Sequence, residues 1–261
     1  IAKIYPGKDY LNPEISVIID DMIENEDQIK LIEYLNSWLE KKINEDLKNL
    51  LDLKNIKEKN SSIRALAYQI YENNGVVKRE DVKSFLKYLK QDERKILRNV
   101  GVRFGRYHIF VPNLFKPNIV TLRILLWKNF YQKNFDLNPP KFGLNFFESE
   151  KNIDRNFMLI CGFEKFDKFF VRIDILERLF MQIINSNSDN DKEIKMIPEM
   201  VNLLGCNKEN FKNLLKSMNY KVLNKENEIY FRYVPKKRIK KSNKKILKES
   251  PFGVLKDLNL N

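Results

Sequence analysis

From Asp27 to Lys54 the apolar residues Leu31, Leu35, Trp38 or Leu39, Ile43, Leu47 and Leu50 recur at spacings of three and four, with Lys, Glu and Asn between them. Side chains three and four positions apart share one face of a helix. The spacing therefore predicts one long amphipathic helix over 27–54, whose apolar stripe the rest of the chain has to cover. The acidic approach to it, Asp20, Asp21, Glu24, Glu26 and Asp27, sits where carboxylates favour the positive end of the helix dipole. It comes with no further ligand set of the kind that would make it a divalent-metal site.

The remainder reads as short elements. Tyr5-Pro6-Gly7 and Asn12-Pro13 punctuate an irregular opening, and Ile15 to Ile19 is a short apolar run compatible with a strand or with a first helical turn. Ser61-Ser62 can cap a helix that stops at Asn74-Gly75, and Val76-Val77 leads to helices over about 79–90 and 92–100. Residues 102–111 are aromatic and β-branched around Gly105, which predicts a strand or hairpin arm with a bulge there. Pro117 opens a helix to about Gln132 that is apolar over most of its circumference, so it should be buried among neighbours. The stretch 136–147, with Pro139-Pro140 and Gly143, reads as a connector, with a domain boundary near residue 140. Beyond it, 162–166 and 168–172 flank a tight turn, 174–185 is helical and 186–191 is a polar loop. A short helix over 198–204 stops at Gly205, Asn207 caps a second one to Asn219, and 220–234 alternates as a hairpin. Helix, helix, turn, helix, hairpin is the order of a winged-helix fold. The expected fold class is thus mainly α with small β elements: a helical accessory domain over 1–140, a winged-helix-like unit over 141–234 and a basic, disordered tail over 235–261.

An apolar content of 43% is that of a folded protein. Of the formal charge of +13, eight units lie between Pro235 and Lys248, where there is no acid, which leaves +5 for everything else (13 minus 8). Cys161 and Cys206 form no paired-cysteine motif, and a reducing compartment fits them. No apolar run approaches the roughly 20 residues of a membrane span, and the start lacks a secretory signal, so a soluble, cytoplasmic protein with no membrane partner is expected. Ile1 stands where Met would begin a chain, which points to a segment of a longer polypeptide.

With eight glycines the sequence contains no G-x-x-x-x-G-K-[ST], so an ATP-driven motor is not expected within it. His108 is the only histidine, which removes multi-histidine metal sites and leaves any triad dependent on one residue. No pair of acids is singled out by spacing for acid–base work. We expect no catalytic residue, no metal site and no cofactor in this chain. Basic residues beside aromatic ones are better represented. In Arg103-Phe104-Gly105-Arg106-Tyr107-His108, alternation on a strand would line guanidinium groups and rings along one strip suited to phosphates and unstacked bases. The alternative is an aromatic core with solvated arginines. Lys116, Lys212, Lys216 and Arg232 are further candidate contacts, the latter three on the helix and hairpin of the winged-helix-like unit. The tail cations Lys236, Lys237, Arg238, Lys240, Lys241, Lys244 and Lys245 are the strongest electrostatic signal and suit contact with a polyphosphate.

The run Val100-Gly101-Val102-Arg103-Phe104-Gly105-Arg106-Tyr107-His108-Ile109-Phe110-Val111-Pro112, followed by Leu114-Phe115-Lys116-Pro117, resembles the C-terminal region of bacterial DExH-type, superfamily 2 helicases. These are relatives of the mitochondrial RNA-degradosome helicase of the suppressor-of-Var type. Residues 35–53, 171–179, 200–206, 211–220 and Ser250-Pro251-Phe252 resemble further segments of that family in order, over nearly the whole chain. The resemblance implies an accessory, non-catalytic region that packs on an upstream pair of RecA-like motor domains of the same polypeptide and helps line the path of the single strand. ATP and magnesium would belong to that motor. The implied partner is single-stranded RNA, with DNA as the alternative. A scaffold docking a ribonuclease or ribosome and a DNA-binding regulator are the competing readings.

Overall fold

The computed structural model describes residues 2–18, 25–57, 60–131, 138–151, 153–186, 193–225 and 228–234. The chain is mixed α/β, about 52% helical and 22% strand, its strands in small antiparallel sheets that close no barrel among the described residues. No helix among these residues is long and apolar enough to cross a membrane.

The opening is a regular antiparallel hairpin, β1 (Ala2–Asp9) and β2 (Asn12–Val17), not the irregular segment that its prolines suggested. Pro6 and Gly7 fall where the register shifts between Tyr5 and Asp9, the place in a two-stranded ladder where a missing N–H costs least. The apolar run after it is therefore strand up to Val17. The long helix is also broken: α1 (Asn25–Asp46) gives way at Leu47 to α2 (Lys48–Lys54). At Leu47 the backbone leaves helical geometry, and the amide of Leu50 reaches back only three residues to its carbonyl. The break lets Leu47, Leu50 and Leu53 all reach the core with no more than 2% of their surface exposed.

Then come α3 (Ser61–Glu72), β3 (Val76–Lys78), α4 (Lys83–Tyr88) and α5 (Gln91–Asn99). The cap of α3 is Asn60, whose side chain accepts from the Ser62 amide, one residue ahead of the expected serines. Asn74 and Gly75 take the positive φ values that end this helix. The expected strand over 102–111 is two short ones, β4 (Arg103–Phe104) and β5 (His108–Phe110), joined by a turn at 105–107; β5 lies between β3 and β4. A 3₁₀ turn, Pro112–Phe115, leads into α6 (Pro117–Phe130). Two faces of α6 serve two cores: Ile119 and Leu126 pack with the α1 to α5 layer, while Val120, Ile124 and Trp127 pack with residues beyond 150. That double duty accounts for its all-round apolar sequence, and only Leu125 is left substantially exposed among its large aliphatic residues, at 49%.

The expected connector over 136–147 ends in a strand, because Phe146 and Phe147 pair with Val171 and Phe170: β6 (Phe146–Glu148), β7 (Phe163–Phe166) and β8 (Phe169–Arg172) form a sheet of order β6-β8-β7, with α7 (Arg155–Ile160) packed on it. Phe157, Met158, Ile160, Phe163 and Phe170 of this layer join α6 in one cluster, so apolar packing continues across residue 140. The last elements are α8 (Ile173–Asn185), β9 (Ile194–Lys195), α9 (Pro198–Leu204), α10 (Lys208–Ser217), β10 (Tyr220–Lys225) and β11 (Glu228–Tyr233), with sheet order β10-β11-β9. Gly205 in the left-handed region stops α9 and the Asn207 side chain caps α10 by accepting from the Asn210 amide. The expected tail over 235–261 lies outside the described residues.

Candidate nucleic-acid interface

A groove of about 980 Å³ runs between the α4/α5 side of the first elements and the unit built from α8 to β11. Its volume is at the upper end of what small-molecule clefts occupy, about 300–1,000 Å³. One wall carries six cations, Lys78, Arg79, Lys83, Lys87, Arg94 and Arg106, against the single acid Glu80. The facing wall contains Phe166, Phe180, Ile184, Met218, Tyr220 and Tyr233.

The β4–β5 turn places Arg106 and Tyr107 at the seam of these walls, and Glu177 of α8 holds the turn. Its carboxylate accepts from three successive backbone amides, those of Arg106, Tyr107 (3.0 Å) and His108 (2.6 Å). Gly105 makes this possible: a Cβ there would stand 2.4 Å from the Glu177 carboxyl carbon. Arg79 ties the other side of the turn by donating to the Gly105 carbonyl at 2.9 Å. Tyr107 stacks on Phe180 with centroids 5.5 Å apart, and the Lys78 ammonium lies 5.8 Å from its ring.

Beneath the turn sits a buried charge network. His108, fully buried, has Nε2 2.9 Å from Glu164 Oε2, and its Nδ1 lies 3.3 Å from Glu177 Oε1. Arg155 donates to both oxygens of Glu164, and the Lys78 ammonium is 3.5 Å from the same carboxylate. Burial opposes the charged imidazole, but the hydrogen bonds and charges of Glu164 and Glu177 outweigh it and hold the His108 pKa above its ordinary value. For Glu164 burial pushes upward, and His108, Arg155 and Lys78 together bring it below the usual carboxylate range. Among the described residues no three His, Cys, Asp or Glu side chains are grouped to hold a metal ion.

The sequence-derived candidates separate on this geometry. Arg106 and Tyr107 line the groove. His108 does not, and its expected contact with nucleic acid is withdrawn because its ring has no exposed surface. The strip imagined along a continuous strand also fails, since the turn after Phe104 breaks the alternation and leaves exposed Arg103 on β4, outside the groove lining. Lys116 is exposed at the start of α6, and Lys212 and Lys216 lie on α10, with only the following Ser217, Met218 and Asn219 reaching the groove. Arg232 is half-buried on β11; the Glu193 pKa is lowered chiefly by the hydrogen bond from Lys225, against desolvation, with the charges of Lys225 and then Arg232 adding to the lowering. The tail candidates Lys236 to Lys245 fall outside the described residues. Sequence reasoning missed Lys78, Arg79, Lys83, Lys87 and Arg94. Lys83 and Lys87, four apart on α4, were the available signal, hidden by the interleaved acids Glu80, Asp81, Asp92 and Glu93. No protein family, curated protein or solved structure compared with this chain matches it.

Proposed function

We propose that this groove holds single-stranded RNA and that the chain is a non-catalytic accessory region that guides the strand relative to an ATP-driven motor in a cytoplasmic helicase. The observation that carries the reading is the lining itself: six basic side chains and one acid facing aromatic groups in one cleft. Cations along the phosphates and aromatic rings under the bases are the two contacts that sequence-tolerant single-strand binding requires. The order α8, β9, α9, α10, β10, β11, with β9 added to the edge of the β10–β11 hairpin, supports reading this part as a winged-helix-like, nucleic-acid-binding unit. RNA rather than DNA, and the upstream motor, follow from the helicase resemblance of residues 100–117 and the segments in register with it.

The test is binding of a short unstructured RNA to the full chain and to its Lys83→Glu/Lys87→Glu variant. A loss of tenfold or more with an unchanged melting temperature is expected, and equal affinity would remove the groove from the binding surface. The scaffold reading draws on a different face, where Tyr34 and Trp38, one turn apart on α1, are 68% and 54% exposed. It would take first place if RNA binding proved insensitive to every groove substitution.

A further inference from the structure

We propose that the two walls of the groove divide the strand between them. The sugar–phosphate backbone lies along the 78–106 wall and unpaired bases turn onto the 166–233 wall, so the groove favours base-bearing single strands over duplexes and over polyanions without bases. This rests on the single-strand reading above and deepens it.

The segregation of the lining carries the inference. Every formal charge in the groove, cationic or acidic, comes from residues 78–106, and none comes from the facing wall. That facing wall is also left incompletely covered. Phe180, Ile183 and Met218 are buried within it, whereas Tyr233 is 58% and Ile184 43% exposed. Tyr220 supports Tyr233 edge-on, ring centroids 5.3 Å apart, and the two residues are paired across β10 and β11, so the platform is anchored in the ladder. An exposed ring on a rigid strand is an efficient stacking surface, because little freedom is lost when a base lands on it. A duplex cannot use such a wall. Its bases are stacked on one another, and a second row of phosphates would be pressed against a surface with no cation to compensate it. A polyanion without bases could use the cationic wall but would gain nothing from the other.

The experiment compares the full chain with its Tyr233→Ala, Tyr233→Phe and Lys83→Ala/Lys87→Ala variants. The probes are a short oligouridylate, an abasic phosphodiester strand of the same length and a duplex of the same length. The sequence beyond Val234 is the same in every variant, so differences between variants report the groove. Tyr233→Ala should weaken oligouridylate binding about tenfold and leave the abasic strand unchanged, with Tyr233→Phe behaving as the parent. The lysine pair should weaken both strands by a common factor. Should Tyr233→Ala shift both strands equally or neither, or should duplex bind as tightly as single strand, the division of the walls is overturned while RNA binding in the groove still stands on the lysine result. Should the lysine variant move neither strand, the groove reading itself falls and this inference with it.

Discussion

At the residue scale, Glu177 matters for what it receives. An acid on the inner side of a basic groove wall would ordinarily subtract from anion binding, but this one is committed to three backbone amides and an imidazole. Gly105→Ala should expose the arrangement. The added methyl would meet the carboxylate at 2.4 Å and the His108 carbonyl at 2.7 Å, and the carboxylate cannot retreat without leaving its amides. We expect a stability loss on the order of 2 kcal/mol in urea denaturation, the usual scale of overpacking, together with weaker RNA binding. An unchanged midpoint would mean that the turn yields freely. The network below predicts a pH dependence. His108 has a raised folded pKa, so its contribution is complete below the unfolded value of 6.5 and is lost as pH rises through the folded one. Glu164 has a lowered one, so its contribution is complete above 4.5 and is lost as pH falls through the folded value. The stability gap between the parent and His108→Gln should be widest between these limits and shrink toward alkaline pH; a gap that is flat across pH would show that His108 stays neutral. None of this was legible beforehand, because the two carboxylates lie 56 and 69 positions away in sequence.

At the element scale, local signals were reliable where one residue type decides the geometry. Gly205 ends α9, Asn207 caps α10, Asn74-Gly75 closes α3 and Pro117 opens α6, all as their backbone chemistry requires. Elements whose existence depends on a partner were not legible. The two-residue β9 exists only as a ladder against β11, and the β1–β2 hairpin tolerates prolines that read as breakers. The pairing of helix ends is another such case. Arg123, fully buried in α6, donates to the carbonyls of Asn74 after α3, Leu114 in the 3₁₀ turn (3.1 Å) and Ile160 at the end of α7 (3.1 Å). These are orphan acceptors at the negative ends of their segments, so one guanidinium substitutes for several caps without a carboxylate partner. Burial lowers its pKa from the ordinary arginine range. Arg123→Leu should leave the three carbonyls without a donor in an apolar setting, each worth about 1–3 kcal/mol, and cost at least about 3 kcal/mol in total. A loss below about 1 kcal/mol would mean that water reaches the site.

At the scale of the whole molecule, the groove is a product of tertiary structure, since its walls come from residues 78–107 and 166–233. Arg106 and Tyr107 were legible because a basic and aromatic run is visible in one stretch of chain. The opposing wall was not, because apolar and aromatic residues drawn from a strand, a helix and a hairpin read the same in sequence whether a groove or a core lies beyond them. Charge arithmetic then separates the groove from the tail. Lys78 is held by Glu164, and Arg79 and Arg94 donate to the carbonyls of Gly105 and Leu86. Lys83, Lys87 and Arg106 make no side-chain ion pair among the described residues and are the cations available to phosphates. Each phosphate neutralised on a single strand adds about 0.7 to the slope of log affinity against log salt, so these three should contribute about 2. The sequence between Pro235 and Lys248 holds eight cations, and engagement of roughly half to three quarters of them would add about 3 to 4. Deleting residues 235–261 should therefore flatten the slope by that amount and leave about 2, and adding Lys83→Ala/Lys87→Ala should bring it to about 0.7. The readout is the affinity for one unstructured RNA across a salt series for the parent, the truncation and the truncated double variant. A truncated protein with no residual slope would leave the groove without phosphate contacts. An unaltered slope on truncation would mean that the tail does not touch the strand and that the folded residues carry the whole electrostatic attraction.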